Sequence, residues 1–206
     1  MNPLNSVKGV ITGGIVLAII IALLVPFGID WRAPGSVQSL IIWIHVLAGI
    51  TWIGLLYYFN FVQVPALGDA AADEGGPGGA GISKYIAPRA LWWFRWGALL
   101  TWLSGAAALA HYGIFGDAFT LGLMGETFNQ SAMLIGVGAW FGTIMLFNVW
   151  VLIWPNQKKV LGMKPATPEE IAKAKRVAFL ASRTNTFLSI PLVMSMVAYG
   201  HGGFFL

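Results

Sequence analysis

The stretch Ile41–Pro65, IIWIHVLAGITWIGLLYYFNFVQVP, is almost wholly apolar and carries a single imidazole, that of His45. It is long enough to cross a bilayer, since a crossing takes roughly 20 residues. On a helix, His45, Gly49 and Trp52 share one face, because steps of three and four return to it. An ionisable side chain inside such a run is costly to bury and marks a candidate functional site. We therefore expect a membrane helix that holds a flat cofactor or packs closely on a polar neighbour.

The composition indicates an integral membrane protein. The 206 residues are 57% hydrophobic and only 10% charged, whereas a soluble domain carries about 25% charged residues. There is no cysteine, which excludes disulfides, thiolate metal sites, iron–sulfur clusters and the covalent attachment of c-type haem. Any haem must therefore be held by His or Met without a covalent link. The net charge of +4 is attributed to membrane topology and not to nucleic-acid binding.

The apolar runs predict an all-α fold, a bundle of about five transmembrane helices in one domain over residues 1–206. The predicted spans are about 10–29, 37–64, 89–112, 131–154 and 184–206. Gly138 and Gly142, four residues apart in the fourth span, predict a close-packing face. Pro191 predicts a bend in the fifth span.

Two segments between the spans have their own character. Residues 68–81 are Gly-rich and acidic, which predicts a mobile loop. Thr167-Pro168-Glu169-Glu170 predicts a helix start, with Thr167 as N-cap and Glu170 completing a capping box. The following residues predict one amphipathic cytoplasmic helix along the membrane surface, before the chain turns into the fifth span.

The basic residues predict the orientation. With five spans, eleven of the twelve Lys and Arg residues fall on the side of the N-terminus, and only Arg32 falls on the other. Cytoplasmic loops carry an excess of Lys and Arg. We therefore expect the inner (cytoplasmic) membrane of a bacterium, with the N-terminus in the cytoplasm and the C-terminus in the periplasm.

With this orientation, all three histidines, His45, His111 and His201, fall in the outer third of the membrane on three different helices. Neutral imidazole is a common haem ligand. The sequence thus predicts haem b as cofactor, with His45 and His201 as the iron ligands and His111 nearer the interface. Two alternatives remain open. His45 can instead bond a backbone carbonyl on a neighbouring helix, or the three histidines can form a metal site.

A second polar group lies toward the inner side of the membrane. It consists of Asn60, Gln63, Arg95, Asn148 and Asn185. We interpret these amides as interhelical hydrogen bonds in preference to a substrate site, and expect Arg95 to extend to the cytoplasmic surface.

Three separated segments resemble the membrane domain of bacterial membrane-bound urate oxidases. They are His45 to Gln63, the Phe147-Asn148 segment through Trp154-Pro155 to Lys159, and Ser182-Arg183 through Asn185 to Pro191. More loosely, the first segment is similar to small haem proteins of the HemJ protoporphyrinogen oxidase type. The resemblance implies a helical membrane fold in a redox setting. Family members end in a c-type cytochrome domain, which a chain without cysteine cannot provide, so we expect the acceptor to be a separate partner.

Two functions remain open at this point. The first is a membrane redox protein that binds haem b and passes electrons to a c-type cytochrome acceptor, with a purine-like compound as the electron donor. The second is a non-catalytic accessory subunit of a larger respiratory or photosynthetic membrane-protein complex. In both, the bilayer is a partner and nucleic acid is not.

Overall fold

The structure is a computed structural model that describes residues 2–24 and 34–203. All regular elements within these ranges are helical. The contacts divide the chain into two units, Met1–Leu40 and Ile41–Leu206. The predicted loop residues Asp30 and Arg32 lie outside the described residues.

The first unit contains one apolar helix. A short 3₁₀ turn at Pro3–Asn5, capped by the Asn2 side chain, precedes helix α1, Val7–Leu24. No residue of α1 is buried. The helix begins slightly before the predicted span of 10–29, and residues 25–29 of that span are outside the described ranges. The first turns of α2 also belong to this unit.

The second unit is built from four long helical stretches, three of which contain or follow a π-helical segment. The elements are α2 (Pro34–Tyr57), π1 (Tyr58–Gln63), α3 (Val64–Ala72), π2 (Ile82–Ile86), α4 (Ala87–His111), α5 (Phe115–Phe119), α6 (Gln130–Phe147), π3 (Asn148–Ile153), α7 (Trp154–Val160) and α8 (Pro168–Gly200). The segments α2–π1–α3, π2–α4 and α6–π3–α7 are continuous in sequence.

The core of this unit lies where α2, α4, α6 and α8 meet. Apolar side chains from each helix fill it, and the buried set is Trp52, Leu56, Phe59, Ala90, Leu91, Phe94, Ala98, Met145, Val149, Ile153, Ala181 and Leu192. The glycines Gly138 and Gly142 are buried against α8, as predicted. The backbone N–H of Gly138 donates to Ser195 Oγ at 3.0 Å, and a Cβ at Gly142 would lie 3.7 Å from Leu192 Cδ1.

Four helical stretches in the described residues are long and apolar enough to cross a membrane: Val7–Leu24, Gly35–Ala72, Gln130–Val160 and Pro168–Gly200. They correspond to the first, second, fourth and fifth predicted spans. Helix α4, the predicted third span, is not among them, because Arg95 and a run of tryptophans make its first half less apolar. For the described residues, an all-helical fold with several helices long and apolar enough to cross a membrane is therefore confirmed.

Several boundaries differ from the sequence prediction. The predicted loop at 68–81 is non-helical only over residues 73–79, because α3 runs to Ala72 and helical structure resumes at Ala80. The capping box at Thr167 and Glu170 is present. The prediction of a turn between the amphipathic segment and the fifth span was wrong, since α8 is one helix of 33 residues that continues through Pro191.

Candidate functional site

The His45 ring is held by the backbone of α4. Its Nδ1 lies 2.8 Å from the Thr101 carbonyl oxygen, and Ser104 Oγ lies 3.3 Å from the same nitrogen. A carbonyl oxygen only accepts, so Nδ1 carries the proton of the neutral ring and Nε2 keeps its lone pair. This is the tautomer that a histidine ligand of a metal through Nε2 requires.

Close approach of α4 to α2 makes this contact with the backbone achievable. A Cβ at Gly105 would lie 2.9 Å from His45 Cε1, and a Cβ at Gly97 would lie 3.4 Å from the Trp52 backbone nitrogen. The first distance is shorter than real Cβ contacts allow, and the second is at the short end of ordinary van der Waals contact. Glycines at these two positions of α4 therefore let the helices approach until the imidazole reaches the Thr101 carbonyl.

His45 lines a cavity of about 300 Å³, here named the His45 cavity. Helices α2, α4, α6 and α8 form most of its wall, and no Asp, Glu, Lys or Arg is among the lining residues. They are Ile42, His45, Val46, Trp52, Thr101, Trp102, Gly105, Ala106, Ala108, Leu109, Tyr112, Phe119, Ile135, Gly138, Ala139, Gly142, Leu192, Met196, Tyr199 and Gly200. The buried indole N–H of Trp52 has no hydrogen-bond acceptor among the described residues. The cavity thus combines apolar walls, one imidazole and one unpaired donor.

The other two histidines lie at helix ends. His201 follows the last residue of α8, is exposed, and its Nδ1 is 2.9 Å from the Val197 carbonyl oxygen. His111 is the exposed last residue of α4. Neither lines the His45 cavity, although Tyr112 and Tyr199 do, with ring centroids 6.4 Å apart.

The structure therefore brings His45 alone of the three histidines to the cavity wall. Among residues 2–24 and 34–203, no group of three His, Cys, Asp or Glu side chains is arranged to hold a metal ion. The three-histidine metal site, one of the alternatives from the sequence, therefore has no counterpart among these residues.

The inner amides form interhelical hydrogen bonds, as the sequence analysis predicted. Asn148 Nδ2 donates to Asn185 Oδ1 at 2.8 Å, and Asn185 Nδ2 donates to the Met145 carbonyl at 3.0 Å. Asn60 Nδ2 donates to Ser182 Oγ at 2.8 Å and to the carbonyl of its own helix four residues earlier. The Arg95 guanidinium lies over the Trp154 ring, with Cζ 3.8 Å from the ring centroid, and its extension to the cytoplasmic surface stays a prediction.

Gln63 is the exception among these amides. It is buried, and its Oε1 has no hydrogen-bond partner in the described part of the chain. It lines a second and larger cavity of about 730 Å³, here named the polar cleft, between the ends of α2–π1–α3, α4, α7 and α8. The lining residues are Phe59, Asn60, Gln63, Val64, Leu67, Gly68, Ala71, Gly79, Ser83, Ala87, Leu91, Phe94, Ile153, Gln157, Val160, Leu161, Ala172, Lys175, Arg176, Ala178, Phe179 and Ser182.

The fold and the two cavities define an all-helical membrane protein with a histidine-bearing apolar cavity and a separate polar cleft. Residues 114–205 match the family described as urate oxidase N-terminal. This match covers just under half of the chain, from α5 through α8, and confirms the resemblance to a urate oxidase N-terminal-type domain. Neither the curated proteins nor the solved structures contain a match.

Sequence reasoning identified His45 but not its surroundings. Thr101 contributes a backbone carbonyl and Gly105 contributes the absence of a side chain, and neither property leaves a sequence pattern of its own. The polar cleft was also missed, although Gln63 had been singled out. Only the structure distinguishes an amide with a partner, such as Asn60, from one without.

Proposed function

We propose that this chain is a membrane redox protein related to the urate oxidases, which binds haem b at His45 and passes electrons to a separate acceptor. The observation that carries the proposal is the 2.8 Å contact from His45 Nδ1 to the Thr101 carbonyl, in the wall of an apolar cavity. This contact leaves Nε2 available as an iron ligand. The family match over residues 114–205 supports the redox setting.

The residues of the His45 cavity fit the coordination chemistry of a haem. A neutral imidazole whose other nitrogen is bonded to a carbonyl, as at His45, would be a suitable ligand for haem iron. The glycines Gly105 and Gly138 allow His45 and Met196 to pack closely into the wall, since a Cβ at these positions would lie 2.9 Å from His45 Cε1 and 2.7 Å from Met196 Cε. When bound, haem supplies reversible one-electron transfer. The protein's own contribution is to fix the imidazole tautomer through Thr101 and to keep water away from the ligand through the apolar lining.

The absorption spectrum of the purified protein tests the proposal. We expect a Soret band and an α band in the reduced-minus-oxidised spectrum. His45→Asn should abolish or strongly shift them, because its amide can still donate to Thr101 O but offers no equivalent of Nε2. His111→Ala is the matched control and should leave the spectrum nearly intact. His201→Ala tests the second iron ligand predicted from the sequence, and the bands should shift if His201 would bind the iron.

A colourless wild-type protein, purified with its native lipids and after haem supplementation, would contradict the proposal. That result would favour the accessory-subunit alternative, in which His45 is a buried side chain satisfied by a neighbouring carbonyl. An unchanged spectrum in folded His45→Asn would equally remove His45 as the ligand.

A further inference from the structure

The polar cleft is separate from the His45 cavity and has no part in the proposed electron transfer. Along α2 and π1, His45 and Asn60 are fifteen residues apart, which corresponds to roughly 22 Å at 1.5 Å per residue. Each of the three π-helical segments lines the cleft: π1 through Asn60 and Gln63, π2 through Ser83, and π3 through Ile153. Short π-helical segments occur frequently at functional sites. Their convergence on one cleft therefore indicates a binding site.

The hydrogen bonding inside the cleft favours a ligand that donates. The Gln63 side chain is 9% exposed, and its Oε1 has no partner in the described ranges. A buried acceptor without a partner is costly. Asn60, one turn away, is by contrast bonded to Leu56 and Ser182. A hydroxyl or amine that reaches the cleft would satisfy the Gln63 carbonyl oxygen.

The charge in the cleft favours an anion. Lys175 and Arg176 are exposed residues of its lining, and no Asp or Glu lines it. The ion pair found in the described residues joins Lys159 to Glu170 and involves neither of them. Arg176 contacts the Phe179 ring at 6.0 Å. Two cations without a carboxylate partner create a positive potential at this end of the cleft.

The length of α8 places these cations near the depth of the lipid head groups. A hydrocarbon core takes roughly 20 residues of helix. Counted back from Gly200, this reaches Ala181, so Arg176 and Lys175 lie about 8 to 9 Å further along the helix axis. Phospholipid phosphates occupy this level, just outside the hydrocarbon core. Basic pockets between membrane helices bind the head groups of anionic lipids.

We propose that the polar cleft binds an anionic phospholipid whose head group carries free hydroxyls, as in phosphatidylglycerol. The phosphate is held by Lys175 and Arg176, and a head-group hydroxyl donates to Gln63 Oε1. The acyl chains lie along the apolar part of the lining, which includes Leu67 and Phe179. The inference does not depend on the presence of haem.

Lipid affinity of the full chain, measured by native mass spectrometry and by the thermal midpoint in nanodiscs, tests the proposal. Phosphatidylglycerol added to phosphatidylcholine should bind and raise the midpoint, since a ligand that binds only the folded state stabilises it. Lys175→Gln with Arg176→Gln should weaken this binding by about fivefold per residue. The matched control is Lys164→Gln with Lys173→Gln, which removes the same charge from exposed positions near the start of α8 that do not line the cleft.

Gln63→Leu tests the hydrogen bond separately from the charge. The comparison lipid is phosphatidylmethanol, which has the same charge as phosphatidylglycerol but no head-group hydroxyl. The wild-type protein should prefer phosphatidylglycerol, and folded Gln63→Leu should lose this preference while still binding both lipids. A persistent preference in Gln63→Leu would overturn the assigned hydrogen bond.

Two further outcomes would overturn the site itself. Equal loss of lipid binding in the cleft pair and in the control pair would mean general attraction of anionic lipid to a basic surface. If soluble glycerol phosphate bound as tightly as the lipid and displaced it, the cleft would be a site for free organic phosphates. Haem content is the independent readout for the function proposed above, and the cleft variants should leave it unchanged.

Discussion

At the scale of single residues, the absence of a side chain at Gly105 allows the His45 ring to keep its position against the Thr101 carbonyl. The imidazole occupies the space that a side chain at position 105 would fill, and its contact with Thr101 depends on that space. Gly49, on α2 opposite α4, is a useful contrast. A Cβ there would lie 3.8 Å from Thr101 Cγ2, an ordinary van der Waals distance. Two glycines of the same helix pair therefore differ in what they can tolerate.

Gly105→Ala is expected to lower the free energy of unfolding by about 1–3 kcal/mol, since overpacking forces the ring to move. Gly49→Ala should be neutral or slightly stabilising, because alanine is the better helix former. Equilibrium unfolding in detergent micelles measures both. If the two variants have equal stability, the ring does not occupy the space beside Gly105.

The Asn148–Asn185 pair is a second set of single residues with a clear energetic role. Asn185 is fully buried and bonds both to Asn148 and to the Met145 carbonyl. Removing one member leaves the other with an unsatisfied buried group, so the two substitutions cannot be independent. The pair thus connects α8 to the junction of α6 and π3.

Asn148→Ala and Asn185→Ala should each cost about 1–2 kcal/mol in unfolding free energy, and the double variant should cost less than the sum. Asn156→Ala is the control, because within the described residues Asn156 Nδ2 donates to the Leu152 carbonyl four residues earlier in the same helical stretch. Asn156→Ala should lower the unfolding free energy by less than either of the other two substitutions. Additive losses in the double variant would contradict the direct amide–amide bond.

At the scale of helices, the start of α8 was predicted to the residue, whereas the π-helical segments were not predicted. Thr167, Pro168 and Glu170 form a pattern of N-cap, first residue and capping box that has a local physical cause. The π-helical segments do have a local pattern, since each ends two residues before a proline, at Pro65, Pro88 and Pro155. A proline removes one backbone N–H from the helix and its ring displaces the carbonyl four residues earlier, but this pattern was not recognised in the sequence. Helix ends shifted accordingly, and α6–π3–α7 continues to Val160, beyond the predicted limit of 154.

The capping box also predicts a dependence on pH. The backbone N–H of Thr167, followed by Lys159, lowers the pKa of the Glu170 carboxyl from its ordinary value of 4.5. A carboxylate with a depressed pKa stabilises the folded state above its ordinary pKa, and this stabilisation is lost as the pH falls through the depressed value. The N-terminus of α8 should therefore loosen in acid.

Glu170→Gln keeps an acceptor for the Thr167 N–H but removes the charge. Its thermal midpoint should lie below that of the wild-type protein at pH 7, and the difference should shrink as the pH falls below 4.5. Thermal unfolding monitored by circular dichroism across this range is the measurement. A difference that stayed constant with pH would show that the charge of Glu170 has no part in the cap.

At the scale of the whole molecule, the spans and basic residues together make a topological prediction. Helix α4 packs among the other three long helices of its unit and contributes Leu91, Phe94 and Ala98 to the core. Its 25 residues extend about 37 Å, enough to cross a bilayer. We expect α4 to cross the membrane as the predicted third span, which brings the total to five and puts the two chain termini on opposite sides of the membrane.

A reporter enzyme that is active only in the cytoplasm checks this topology. Fused to the N-terminus it should be active, and fused after Leu206 it should be inactive, because most Lys and Arg residues lie on the N-terminal side. Activity at both ends would mean an even number of spans. Activity only at the C-terminus would mean that the orientation is reversed.

The general character of the molecule followed from its sequence, and the details of its sites did not. An apolar run with one imidazole is sufficient to locate a candidate site at His45. Whether the run faces another histidine or a carbonyl depends on where α4 lies, and no local pattern encodes that. His201 shows the difficulty, since the predicted ligand is exposed at the end of α8.

Helix α8 is a single rod that touches both cavities. It contributes Lys175 and Arg176 to the polar cleft and, about 24 Å further on, Leu192 to the wall of the His45 cavity. A continuous helix can transmit a rotation about its axis, or a displacement along it, from one end to the other. Pro191 has no N–H, so the Phe187 carbonyl lacks its usual partner at the place where such motion would reach the second cavity. We therefore expect a displacement of the N-terminal part of α8 on lipid binding to be weaker beyond Pro191, because the missing hydrogen bond allows the helix to bend there.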